Sequence, residues 1–339
     1  MRIGRWILRG SLGILVFAAG ALAWVWTDRP DLAASGIPTA SSVQNGSRPG
    51  SVRVTWLGVS TLLFDDGATK ILIDGFFSRP DVLDLLGDRP IEPDLEAIDV
   101  ALATWGIDEV AAIVPVHSHF DHALDTGEVA RRTGAIVVGS LSTANAARGA
   151  GIGEEQILEL SEGGSRQFGL FTLTLIPSRH APVGAEGAAP YPGRIETPLV
   201  PPAPVSAWKE GVSFSVVLAH PQGVALVQGS AGAVTGALDG TRVDVILLGI
   251  GGLAGLGEEY SDRYWREIVE TTGAHRVFPV HWDDFTREFG DIKPFPRLFD
   301  DSAASLGWLS ERASRGDPID LAFLPFGAPV ALYSGRSPK

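Results

Sequence analysis

"VPVHSHFDHALD", residues Val114 to Asp125, places three histidines and an aspartate within positions 117–122 of a 339-residue chain that has seven histidines in all. The stretch continues from "AAIVPV" (Ala111–Val116), an apolar run that reads as a buried strand. His117 and His119 are two residues apart, and in extended backbone such residues point the same way. Asp121 and His122 then turn into a helix predicted from Ala123 to Arg132. Imidazoles and a carboxylate at this density suit a borderline metal, zinc first, with iron or manganese as alternatives. A polar loop with coincidental histidines is the competing reading, and it sits badly with a chain so sparing of histidine.

Outward from this motif the pattern is that of an α/β domain. "VRVTWLG", "TLLFDDG" and "TKILIDG" predict three short strands joined by tight turns. "AIVVGS" and "FTLTLIPS" (Phe171–Ser178) read as further strands, with a helix from Thr143 towards Gly149 between them. "GVSFSVVLAHPQGVALVQGS" predicts a hairpin that turns at His220-Pro221-Gln222-Gly223. "VDVILLGI" is another buried strand, and helices are expected over Tyr260–Thr271 and Ser302–Arg315. A strand-rich opening, strand–helix alternation and a second strand-rich half together imply two packed sheets covered by helices. Between Pro182 and Ala207 seven prolines and no regular period mark a long loop directly after His180, either a substrate-facing lid or a disordered insertion.

The apolar fraction of 45% and charged fraction of 20% are those of a globular protein, and the net charge of -13 argues against a nucleic-acid partner. With no cysteine, thiolate zinc sites and cysteine nucleophiles are excluded. The N-terminus is different material. Arg2, Arg5 and Arg9 precede an uncharged apolar run from Gly10 to Trp26. Residues 1–27 are therefore expected to be a single-pass anchor in the inner membrane, N-in, with the rest of the chain outside the cytoplasm. A cleaved signal ending at Ala21-Leu22-Ala23, giving a secreted or periplasmic protein, is the alternative. Residues 28–50, rich in Pro, Gly, Ser and Asn, read as a flexible linker, and 51–339 as the catalytic domain.

The spacing H-x-H-x-D-H at 117–122 resembles the signature of the metallo-β-lactamase superfamily. That resemblance implies a four-layer αβ/βα sandwich with metals at one edge, held by loops at strand ends. It implies a third histidine for the first metal, offered by His180 in "LIPSRHAP", and a last one, offered by His281 in "RVFPVHWDDF". Asp74 in "KILIDG" would be a supporting aspartate. The opening "VTWLGVSTLLFDDGATKILIDG" looks most like the phospholipase-D-like and lactonase-like branch. Val59 replaces that branch's histidine and Gly75 its proline. Ser230 in "LVQGSAG" stands where two-metal members carry a bridging aspartate.

By this resemblance His117, His119 and His180 hold a first metal. Asp121, His122 and His281 hold a second, weaker one, or orient the attacking water. Asp121 is the expected base. The implied activity is metal-dependent hydrolysis of an ester, lactone, phosphodiester or amide in a small-molecule or lipid-like substrate. Two rivals are a non-catalytic metal-binding protein of the same fold and an iron-dependent oxygenase. Asp283 and Asp284 either orient His281, stand in for the missing carboxylate or are ordinary helix-start acids. His220 is expected at the solvated surface, and His275 has no assigned role. Gly249–Ala254 fits G-x-G-x-x-A, but no acid-ended strand comes after it to make it a dinucleotide site.

Overall fold

The computed structural model describes residues 24–43 and 51–333. Its strands are β1 (Arg53–Trp56), β2 (Leu62–Asp65), β3 (Lys70–Ile73), β4 (Pro90–Ile91), β5 (Ala112–Val114), β6 (Ile136–Gly139), β7 (Ile157–Glu159) and β8 (Ser165–Phe168). The chain continues through β9 (Phe171–Pro177), β10 (Ala203–Pro204), β11 (Phe214–His220), β12 (Gly223–Gln228), β13 (Val245–Gly249), β14 (Arg276–Val280), β15 (Asp320–Leu321) and β16 (Val330–Ala331).

Two seven-stranded sheets form the body, in the orders β16-β1-β2-β3-β5-β6-β7 and β15-β14-β13-β12-β11-β9-β8. Each combines antiparallel hairpins with parallel strands. In the first sheet the parallel crossovers carry the helices Leu95–Trp105, Thr126–Thr133 and Leu141–Gly149. Strand periodicity explains how the layers separate, because successive side chains point to opposite faces. Val54, Phe64, Ile71 and Val114 enter a core shared with Leu173, Val216 and Ile246 of the second sheet. Their neighbours Leu63, Leu72 and Ile113 pack instead with Ile98, Leu102 and Val129 of the covering helices. The first helix starts where the Asp94 side chain accepts from Glu96 and Ala97 N–H, and ends at Gly106 in left-handed backbone. The expected Tyr260–Thr271 helix begins as Glu258–Trp265 and passes into a π-turn over Arg266–Glu270.

The expectation of a single-pass membrane protein is corrected. Among the described residues no helix is long and apolar enough to cross a membrane. Most of the predicted span, residues 10–23, lies outside the described residues. Residues 28–43 are not a free tether either. Arg29 pairs with the buried Asp284 at 2.7 Å, Ala40 N donates to Phe323 O, and Val43 N donates to Pro329 O. Trp26 packs on Phe299 with ring centroids 5.4 Å apart. Backbone pairing and single anchoring side chains hold this segment, which is why it shows no hydrophobic period.

Candidate metal centre

Five strand ends converge on one edge of the sandwich. Asp74 lies just past β3, His117 and His119 past β5, His180 past β9, Ser230 past β12, and His281 past β14. Three non-glycine residues there hold positive φ, namely Val59 at 50°, Asp74 at 58° and His281 at 59°. Such backbone costs free energy and persists where surroundings fix it. Here His281 N donates to Val59 O at 2.9 Å, and Val59 N donates to Asp283 Oδ1 at 2.8 Å.

The imidazoles stand ring to ring. Centroids lie 4.6 Å apart for His117–His119, 4.8 Å for His117–His180, 4.9 Å for His119–His180 and 4.0 Å for His117–His122. His117, His119 and His180 offer one ligand atom each within 4.8 Å of one another, and so do His117, Asp121 and His122. His117 belongs to both groups. His281 joins through Asp121, with Nε2 3.3 Å from Oδ2.

Outer nitrogens of three rings have partners that fix which one faces inward. His119 Nε2 meets Pro190 O at 2.7 Å, and His180 Nδ1 meets Ala181 O at 2.7 Å. His122 Nδ1 meets Asp74 Oδ2 at 2.8 Å. Asp74 also accepts from Ser60 Oγ at 2.6 Å and from Val116 N at 2.8 Å. His117 Nδ1 and His122 Nε2 are buried with no hydrogen-bond partner. Buried polar atoms rarely stay unpaired, so this donor set fits a cation at its centre.

Electrostatics divide the cluster. Burial, then neighbouring imidazoles, hold His117 well below the usual histidine range, and burial, then His180, brings His119 down to about 3. Burial lowers His180 as well. At neutral pH these three rings are uncharged, the form that binds metal. Burial also opposes charge on His122, but the carboxylates of Asp74 and Asp121 outweigh it and raise the ring. Burial pushes Asp121 up, yet His122 and His281 pull harder and hold it well below the usual carboxylate range.

The cluster opens into a cleft of about 920 Å³ whose wall includes His119, Asp121, His180 and His281. Its outer wall is apolar and uncovered, with Leu298 72%, Leu86 69% and Phe299 51% exposed. Among the described residues lining it, the one lysine or arginine is Arg297, which is bound to Asp301 at 2.7 Å. The proline-rich loop faces the cleft, with Pro182, Val183, Pro190, Tyr191 and Val205 in its wall, and is hydrogen-bonded to the body. Leu199 N donates to Asn145 O, Asn145 Nδ2 to Ile195 O and Glu210 N to Tyr191 O. It supplies the Pro190 carbonyl to His119.

The remaining sequence candidates separate cleanly. Ser230 faces the cleft at 8% exposure, with Oγ accepting from Ala181 N at 2.9 Å. Asp283 and Asp284 have partners of their own, for one holds Val59 and the other holds Arg29. His220 is not a surface residue, for its side chain is buried 3.4 Å from Asp66 and against the ring of Phe171. The glycine motif serves His281, since a Cβ at Gly251 would lie 2.9 Å from the His281 carbonyl. Pro190 acts through its backbone, so no side-chain signal marked it. Asp300, buried in the cleft wall and raised to about 6 by burial, lay in an unremarked loop.

The profile of the metallo-beta-lactamase superfamily matches residues 54–229, over half of the chain. The chain belongs to this superfamily. A metal-dependent hydrolase of Methylobacterium nodulans is 30% identical over 141 residues, 42% of this chain and 53% of that one. The chain spans about half the length of the first curated relatives it matches. Among solved structures, an isothiocyanate hydrolase from Delia radicum gut bacteria is similar with a TM-score of 0.51 and 14% identity, covering 83% of this chain and 99% of that one. A diiron β-hydroxylase from Streptomyces venezuelae also has a TM-score of 0.51, with 13% identity, covering 84% of this chain and 55% of that one. These two likenesses show the fold alone.

Proposed function

We propose that the protein is a metal-dependent hydrolase acting on a small, largely uncharged substrate with an apolar group. The observation that carries this reading is the convergence of His117, His119 and His180 with Asp121 and His122 at the floor of the apolar cleft. Three neutral imidazoles suit zinc. His117, His119 and His180 would hold one metal tightly. Asp121, His122 and His281 would hold a second more weakly, because Ser230 provides no bridging charge between two dications that repel each other.

When bound, the metal supplies Lewis acidity and a water acidified to near neutrality. Asp121 is then the orienting acceptor. A carboxylate held so far below its ordinary range is a weak base, so it accepts a hydrogen bond from the attacking water better than it removes a proton. Leu86, Leu298 and Phe299 give an apolar group of the substrate a wall to cover. The cleft's Arg297 is already paired with Asp301, so an ester, lactone or amide fits better than a phosphodiester or nucleic acid.

The full chain, purified with its native metal, should hydrolyse an apolar ester such as p-nitrophenyl butyrate. Dialysis against a chelator should abolish turnover and zinc should restore it. Metal-free protein, or turnover indifferent to the chelator, would refute the proposal.

A further inference from the structure

Where the superfamily's two-metal members have a bridging carboxylate, this chain has a hydroxyl, and the structure gives that hydroxyl a different partner. Ser230 Oγ accepts from Ala181 N at 2.9 Å. The carbonyl of the same Ala181 receives His180 Nδ1 at 2.7 Å. Ser230 therefore grips one side of a residue whose other polar group sets the His180 ring.

The turn that carries Ser230 is itself immobilised. Gln228 Nε2 donates to Ser230 O at 3.1 Å and to Gly232 O at 2.7 Å. Tyr260 OH donates to Ala231 O at 2.9 Å. Gly232 lies so close behind the ligand that a Cβ there would sit 2.2 Å from Arg179 O and 2.7 Å from the His180 carbonyl. Backbone cannot yield to such a contact without moving His180. The end of β12 thus forms a rigid seat for the end of β9, with Ser230 as its polar contact.

We infer that Ser230 is a positioning residue for the metal ligand His180, and that this role rather than decay of a two-metal site accounts for a hydroxyl here. The inference rests on the proposal that His117, His119 and His180 hold a metal. Partners that orient a ligating histidine typically contribute roughly 10–100-fold in metal affinity.

The test is zinc affinity of the full-length protein by competition with a chromogenic chelator, alongside melting of the metal-free forms. Ser230→Ala should weaken the tight site by about 10-fold while the metal-free protein stays folded and melts somewhat lower, because the buried Ala181 N–H loses its acceptor. Ser230→Thr, which keeps the acceptor oxygen, should restore the affinity to within a few-fold. Gly232→Ala should weaken the same site by displacing Arg179–His180. Affinity unchanged in Ser230→Ala, or Ser230→Thr as weak as Ser230→Ala, would overturn the inference while leaving the metal site intact. A parent protein that binds no zinc would overturn the metal reading and this inference together.

Discussion

The two halves of the centre use the same side chain in opposite electrostatic settings. His119 and His180 lean on backbone carbonyls, from Pro190 and Ala181. His122 leans on the Asp74 carboxylate and faces Asp121 as well. A carbonyl fixes a tautomer while favouring a proton only weakly, so burial keeps the first rings neutral. A carboxylate stabilises the imidazolium, so His122 is raised. The rings of the first half are held neutral, whereas in the second a proton favoured on His122 competes with a metal. Ser230 adds to the asymmetry by offering no charge between the two.

The comparison breaks most completely at His117, which belongs to both ligand groups. His117→Ala should empty the tight site, weaken the neighbouring one and lower turnover by well over the ~100-fold typical of losing an outer partner. Elemental analysis and an ester assay would check this, and a variant that keeps its tightly bound metal would show that His117 is not a ligand.

Asp74→Asn should sharpen it. His122 loses the carboxylate that orients its ring, so the second half should weaken by about 10-fold, part of the loss being offset because its proton leaves more easily, while the first half loses less. Chelator competition resolves the two. Equal losses at both sites would mean that the halves are one coupled unit.

Asp300 gives a smaller effect on stability. The group shifts from 3.8 to about 6 because burial disfavours its charge. The folded protein therefore holds a proton that the unfolded chain has lost between these values. Stability falls as pH rises through this window, and the whole cost is present above about pH 6. Two units correspond to about 3 kcal/mol at most. Asp300→Asn should melt like the parent near pH 4 and progressively higher by pH 7. A constant difference across that range would show that Asp300 stays ionised.

Much of this asymmetry was hidden in the sequence for identifiable reasons. The density of His117, His119, Asp121 and His122 announced a metal site. Resemblance supplied Asp74, His180 and His281, and the strands deliver all of them to one edge. The strands were legible because alternate residues such as Phe64 and Leu63 go to opposite layers. The orienting groups were not, because Pro190 and Ala181 act through carbonyls that carry no residue signature. His220 read as a solvated turn residue because its burial depends on Asp66, far away along the chain. The segment after the apolar N-terminus read as a tether because isolated contacts such as Arg29–Asp284 leave no period.

Zinc titration of the natural protein, monitored by calorimetry near neutral pH, tests the asymmetry most directly. One tight site that binds with little proton release, then a clearly weaker site that releases more, is the predicted result. Two sites of equal affinity with equal proton release would contradict it.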